Sequence, residues 1–243
     1  MMEKLSSDII IRKKQIEENL KIIKDNIAES AIKSGRRPED IKLLAATKTV
    51  SPVLINHAIS LGVNLIGENK VQELLTKIDD INKQSTDIHF IGHLQTNKVK
   101  KIVGNVSLIQ SVDSVKLARE ISEASIKKNI VTNILVEVNV GKEKNKAGVF
   151  EDFLEELLSN ICEFKGINIK GLMTIPPICQ NSLEVRKYFS KLYKLFVDIG
   201  GKKIDNISMN ILSMGMSSDY CDAILEGASM VRIGSALFGM RNY

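Results

Sequence analysis

Apolar and polar positions divide the chain into two kinds of segment. Over residues 8–34, Ile9, Ile16, Leu20, Ile23 and Ile27 recur at spacings of seven, four, three and four. That is the repeat of one buried stripe on a helix. Lys14, Glu17 and Glu18 lie between them and form a solvated face, and Gly35 with Pro38 supplies the stop. After that the pattern changes. Short apolar runs appear at IKLLAAT (41–47), VNLIG (63–67), IHFIG (88–92), VSLIQ (106–110), ILVEVNV (134–140), INIKGLM (167–173), MNILSM (209–214) and MVRIG (230–234). Helical stretches separate most of them, among them PVLINHAISLG, SVKLAREISEASIKK and LEVRKYFSKLYKLFVDIG. Runs this short and this continuously apolar are strands covered on both faces, as in a parallel sheet. Eight strands alternating with helices predict an α/β fold, a single (β/α)8 TIM barrel over residues 1–243 with the 8–34 helix packed on it. An open doubly wound sheet is the competing architecture. It calls for a G-x-G-x-x-G turn after its first strand, and none is there.

Composition narrows the function classes. The 243 residues are 44% hydrophobic and 26% charged, as in a globular protein rather than a disordered one. The net charge of +5 is spread along the chain, aromatics are 5% and Trp is absent, so a base-stacking surface for nucleic acid is not expected. A mild positive surplus favours anionic small molecules instead. Cys162, Cys179 and Cys221 are odd in number and far apart, which argues against disulfides and zinc and for a reducing compartment; each reads as a small buried hydrophobe. The first residues lack a signal-peptide pattern, and no apolar run approaches membrane-spanning length. A cytoplasmic protein without membrane or metal partners is the expectation.

Barrels of this kind place their chemistry at the C-terminal ends of the strands. Lys48 follows the first run directly. In the barrel mouth its amine is either a desolvated nucleophile toward aldehydes or a lysine snorkelling at a strand end. The last two loops, Ser213-Met214-Gly215-Met216-Ser217 and Gly234-Ser235, have the small residues of a phosphate cup between final strands and a helix N-terminus; equally, Ser217 is a helix cap and the glycines are turns. An amine facing a phosphate cup points to a phosphorylated aldehyde. Arg232 shares the facing of Gly234, toward the barrel interior, and needs a partner there: a carboxylate such as Glu137 or Glu68, or a ligand ring nitrogen. Met173, Met214 and Met216 read as cavity wall, His93 as a loop residue within the pKa range of an acid or base, and His89 as a strand start. The segment Lys142–Lys146 is either a solvated loop or a flap over the site.

These residues carry a resemblance that extends over nearly the whole chain. AATKTVS around Lys48, IGENKVQE (66–73), FIGHLQTNK (90–98), QSVDS (110–114), VNVGKEKNKAG (138–148), GLMTIPP (171–177) and LSMGMSSDYCDAILEGASMVRIGSALFG (212–239) resemble the pyridoxal phosphate homeostasis proteins, the YggS or proline synthase co-transcribed family. The resemblance implies a monomeric barrel like the N-terminal domain of alanine racemase, holding one pyridoxal 5′-phosphate (PLP). It implies that Lys48 forms the internal aldimine. Ser213, Gly215 and Ser217 match the phosphate loop, Gly234 and Ser235 complete the cup, Arg232 lies near the pyridine nitrogen, and Asn69 of the G-E-N motif lies beside the cofactor. Ser235 departs from a common Thr but keeps the hydroxyl. The family has no established catalytic turnover and is thought to buffer PLP or deliver it to apo-enzymes, within vitamin B6 and amino-acid homeostasis. An arginine at the ring nitrogen disfavours its protonation and weakens the ring as an electron sink. The enzyme alternative is a small racemase or lyase, for which His93 is the available second acid or base.

Overall fold

The computed structural model describes residues 2–239, with side chains from residue 7 onward. Helix α1 (Met2–Lys33) begins earlier than the stripe predicts. Its buried face is Ile16, Leu20, Ile23, Ile27 and Ala31, while Ile9 is only half-buried.

Then come β1 (Lys42–Ala46), α2 (Pro52–Ser60), β2 (Leu65–Glu68), α3 (Val71–Lys77), β3 (Asp87–Phe90), α4 (Val99–Ile102), β4 (Leu108–Val112) and α5 (Val115–Lys127). The second half follows as β5 (Thr132–Glu137), α6 (Leu154–Ile161), β6 (Ile167–Met173), α7 (Ser182–Gly201), β7 (Ile207–Ser213), α8 (Tyr220–Leu225), β8 (Met230–Ile233) and α9 (Ser235–Phe238). The eight strands pair in sequence order, all parallel, and β8 returns to β1 to close the barrel. The structure is thus a TIM barrel, with α1 lying against α2, α8 and α9.

Strand alternation sorts the side chains into two cores. Leu44, Leu65, Ile91 and Met230 meet inside the barrel, as do Leu108, Leu135 and Met173 with Ile211. Their alternate neighbours, among them Ala45, Ile66, Phe90, Ile109, Ile134, Val136, Leu172, Leu212 and Val231, form the larger layer under the helices. Counting by two from the interior set, Gln110, Glu137, Ser213 and Arg232 also point inward, one step nearer the C-terminal mouth.

Three local expectations change. The fifth strand stops at Glu137, because Asn139 turns the chain. Its Nδ2 donates to Glu143 O at 2.9 Å and Lys146 O at 3.3 Å, and its Oδ1 accepts from Glu143 N at 3.2 Å. The 142–146 loop is therefore tied down rather than a flap, and Lys146 Nζ fastens it to Pro176 O at 3.1 Å. The three cysteines are unpaired and half-buried rather than buried.

Candidate functional site

Lys48 follows β1 in the loop that leaves the barrel mouth. Both neighbours of this residue are fixed. On the outer face of the strands, Thr47 Oγ1 donates to Glu68 Oε1 at 2.7 Å, and Lys77 Nζ donates to Thr47 O at 3.0 Å, Glu68 Oε1 at 3.2 Å and Glu73 Oε1 at 2.5 Å. Thr49 N donates to Glu73 Oε1 in turn. Thr49 has φ of 64°, a left-handed conformation that a β-branched residue adopts only when its surroundings impose it. Thr47 faces out, so alternation turns Lys48 toward the mouth.

There a cavity of about 640 Å³ is lined by Ala46, Lys48, Thr49, Gly234 and Ser235, with Arg12, Gln15 and Asn19 contributed by α1. The helix contribution escapes sequence reading: its polar positions look like an ordinary wet face until the fold brings them over the β1 and β8 loops. A larger cavity, about 1170 Å³, opens at the opposite end of the barrel among residues that precede or begin the strands.

The final loops are built as a cup. Gly215 has φ of 91°, and a Cβ there would lie 2.5 Å from Ala223 Cβ, so only glycine brings the chain this close to α8. Ser217 does not cap α8; Asp219 occupies that position and its Oδ1 accepts from Met216 N at 2.6 Å. Instead Ser217 Oγ accepts from Gly234 N and Ala236 N, each at 3.2 Å, and so joins the two loops. Among the described residues nothing accepts from the amides of Ser217, Ser218 or Ser235. Orphan N–H groups at a rim are the donors an anionic oxygen satisfies.

Arg232 lies beneath, buried at 4% exposure. Its Nη1 donates to Ser213 Oγ and its Nη2 to Thr174 O, both at 2.8 Å. The two carboxylates considered as partners separate. Glu68 points outward to Lys77, whereas Glu137 is inside and supports Arg232 through space without an ion pair. Burial lowers the guanidinium to about 10, which leaves it charged. Burial, with Asp113 nearby, pushes Glu137 up to about 7.

The remaining candidates divide. Asn69 follows β2, held by Gly92, where a Cβ would stand 2.0 Å from Asn69 O. Asn69 Oδ1 is buried without a partner among the described residues, and the residue lies outside the cavity lining. Met173 is on the barrel's inner wall, but Met214 points outward into the core under the helices, so it can offer a ligand only its backbone. Ser213 is also withdrawn: its hydroxyl is buried and donates to Gln110 Oε1 at 2.7 Å. Of the expected site residues, Lys48, Gly234 and Ser235 line the cavity, whereas Asn69, Met173, Ser213, Met214, Gly215, Ser217 and Arg232 do not; His93 is exposed and also lies outside it. His89 is no strand start but an interior residue bonded to Gln110.

An amine, a buried arginine, two small-residue loops with orphan amides and an unpartnered amide side chain suit a phosphorylated, aromatic aldehyde such as PLP. The comparisons define the class first. Residues 11–242 match the family model for the alanine racemase N-terminal domain. The pyridoxal phosphate homeostasis protein of Aquifex aeolicus (strain VF5) is 44% identical over 226 residues, covering 93% of this chain and 98% of that protein. An unknown protein from Bifidobacterium adolescentis superposes with a TM-score of 0.90 at 33% identity, covering 94% of this chain and 96% of that one. PipY of Synechococcus elongatus PCC7942, solved with PLP bound, superposes with a TM-score of 0.77 at 29% identity, covering 88% of this chain and all, 100%, of that one. The chain belongs to the pyridoxal phosphate homeostasis proteins, within the alanine racemase N-terminal domain family.

Proposed function

We propose that the protein binds PLP at the C-terminal mouth and holds it for buffering and delivery, acting as a monomeric barrel in the cytoplasm. When bound, PLP supplies an aldehyde that joins reversibly to an amine. Lys48 provides that amine, a reading supported by the clamp on its neighbours Thr47 and Thr49. The amides of Ser217, Ser218 and Ser235 hold the phosphate, with Gly215 and Gly234 allowing close approach. Asn69 orients the ring from the β2 side. Arg232 stays protonated at neutral pH, so toward a ring nitrogen it donates a hydrogen bond and does not hand over its proton. A ring nitrogen left unprotonated is a poor electron sink, which favours holding over turnover. The observation that carries the reading is the convergence of Lys48 with the Gly234-Ser235 loop on one cavity. No helix among the described residues is long and apolar enough to cross a membrane.

The test is the visible spectrum of the protein mixed with PLP, before and after borohydride, followed by peptide mass spectrometry. A band that bleaches and a pyridoxyl label on Lys48 are expected. A protein that stays colourless and unlabelled overturns the assignment. Incubating loaded protein with an apo PLP enzyme then reads delivery, and amino-acid-dependent α-proton exchange reads the racemase or lyase alternative. His93 is an exposed loop residue, so His93→Ala is expected to leave the spectrum unchanged.

A further inference from the structure

Arg232 ends a chain of hydrogen bonds that crosses the barrel interior. Arg232 Nη1 donates to Ser213 Oγ at 2.8 Å, Ser213 Oγ donates to Gln110 Oε1 at 2.7 Å, and Gln110 Nε2 lies 2.8 Å from His89 Nδ1. The four residues come from β8, β7, β4 and β3, and each is at least nine-tenths buried. Gln110 also directs Nε2 toward Met230 Sδ at 3.2 Å.

The direction of every proton in this chain follows from its ends. Arginine only donates, so Ser213 must accept from it and send its own proton to Gln110. The amide oxygen of Gln110 is then committed to Ser213, and its nitrogen must donate to His89. That requires His89 neutral with Nδ1 bare, in agreement with burial, which lowers its pKa to about 3. Reversing the amide would set Gln110 Nε2 against Ser213, which already receives Arg232, and strand the serine proton. Gln110 is fully buried and reaches Arg232 through Ser213, so its effect on a ligand at the mouth passes along that chain.

We propose that Gln110, its amide oriented by His89, is a positioning residue that fixes the guanidinium of Arg232 for the ring nitrogen of PLP. This rests on the proposed binding of PLP, and it assigns to Ser213 a place in that support rather than in the phosphate cup.

The test uses the full chain with Gln110→Met, which keeps the length of the side chain and removes both ends of the amide, and Gln110→Glu, which keeps the acceptor for Ser213. In the ligand-free protein, wild type should give a discrete, slowly exchanging guanidinium signal for Arg232 by ¹⁵N NMR, and Gln110→Met should average it. PLP affinity in Gln110→Met should fall about tenfold, the loss of one charge-assisted hydrogen bond. Affinity for inorganic phosphate should stay within about twofold, because that contact is made by the rim amides. The pH at which the bound-PLP band changes should also move. Gln110→Glu should retain the Arg232 signal and keep PLP affinity within about threefold of wild type, since in this buried site its carboxyl takes up a proton, accepts from Ser213 and donates to His89 in place of the amide. His89→Leu, which leaves Gln110 but frees its amide, should produce the same losses in milder form, and it decides the matter should Gln110→Met not fold. An unchanged Arg232 signal and spectrum in folded Gln110→Met overturns the proposal, as does a Gln110→Glu that behaves like the Met variant. A wild type that never binds PLP fails the functional reading instead, and the ligand-free signal still judges the support of Arg232.

Discussion

Lys48 and Arg232 bring two cations to one barrel mouth, yet their surroundings are built by opposite means. Around Lys48 the supporting groups are charged and lie outside the barrel, where Lys77 bridges Glu68 and Glu73 beneath α3. Around Arg232 they are neutral and lie inside: a serine hydroxyl, a backbone carbonyl and, behind them, an amide. The difference has a physical reason. A lysine needed for chemistry is best aimed from behind, by a clamp on the backbone on either side of it. A buried arginine needed by a ligand must be held without being neutralised, because a bidentate carboxylate would occupy the edge that faces the ligand. Glu137 supports it only through space.

The largest effect should come from breaking the outer clamp. Lys77→Met leaves Glu68 fully buried without its cation. Removing one partner of a buried pair typically costs about 3–5 kcal/mol. Burial already pushes the Glu68 carboxyl up, so uptake of a proton limits the loss, and about 3 kcal/mol is expected from urea denaturation. Borohydride labelling of Lys48 by PLP should slow in the same variant, because Thr47 loses a hydrogen bond to Lys77 and the loop is released. A variant that loses stability but labels at the normal rate would show that the clamp serves the fold alone.

This contrast marks how far the sequence could be read. The eight strands, their order and the facing of Arg232 and Gly234 follow from local pattern, because alternation and apolar runs are properties of adjacent residues. Lys48 and the two small-residue loops are legible for the same reason: each follows a recognisable strand. The supports are not. Gln110 ends an apolar run and is a polar group at an inward position, which is the one signal available, but its bonds to His89 and Ser213 join residues 21 and 103 positions away. Glu68 reads as a possible partner of Arg232 because its facing depends on register, and register turns it to Lys77. Arg12, Gln15 and Asn19 reach the cavity only through the docking of α1. The hydroxyl of Ser213 fits a phosphate motif by position, and only the closed barrel shows it turned inward.

The inner arrangement predicts a pH effect of intermediate size. Glu137 titrates at about 7 in the fold against an ordinary 4.5, chiefly through burial. The folded chain therefore holds this proton more tightly than the unfolded chain. The stability associated with it is complete below the unfolded pKa, declines as pH rises through the interval up to about 7, and is level above that. Glu137→Gln removes the buried charge, so the ligand-free variant should be more stable than wild type at pH 8, by on the order of 2 kcal/mol, the attraction of Arg232 being already contained in the shift. The gap should close on acidification toward pH 4.5. A gap independent of pH would mean that Glu137 is ionised throughout and that Arg232 is more fully neutralised than its hydrogen bonds indicate.

The smallest effect separates backbone from side chain in the proposed phosphate cup. Ser235 is exposed, and its amide is one of the orphan donors, so the backbone carries most of its contribution whatever the side chain. Ser235→Thr keeps the hydroxyl and fits the open side of α9, and PLP affinity should stay within about twofold. Ser235→Ala removes one hydroxyl from a position that water reaches, which is worth about 0.5–1 kcal/mol, or roughly a threefold loss of affinity. The losses should be equal for PLP and for inorganic phosphate, since the cup meets only the phosphate, whereas a change at Gln110 should separate the two. A tenfold loss in Ser235→Ala would move the weight of phosphate recognition from the amides to the hydroxyl and make the two loops less alike in function than their shared bond to Ser217 implies.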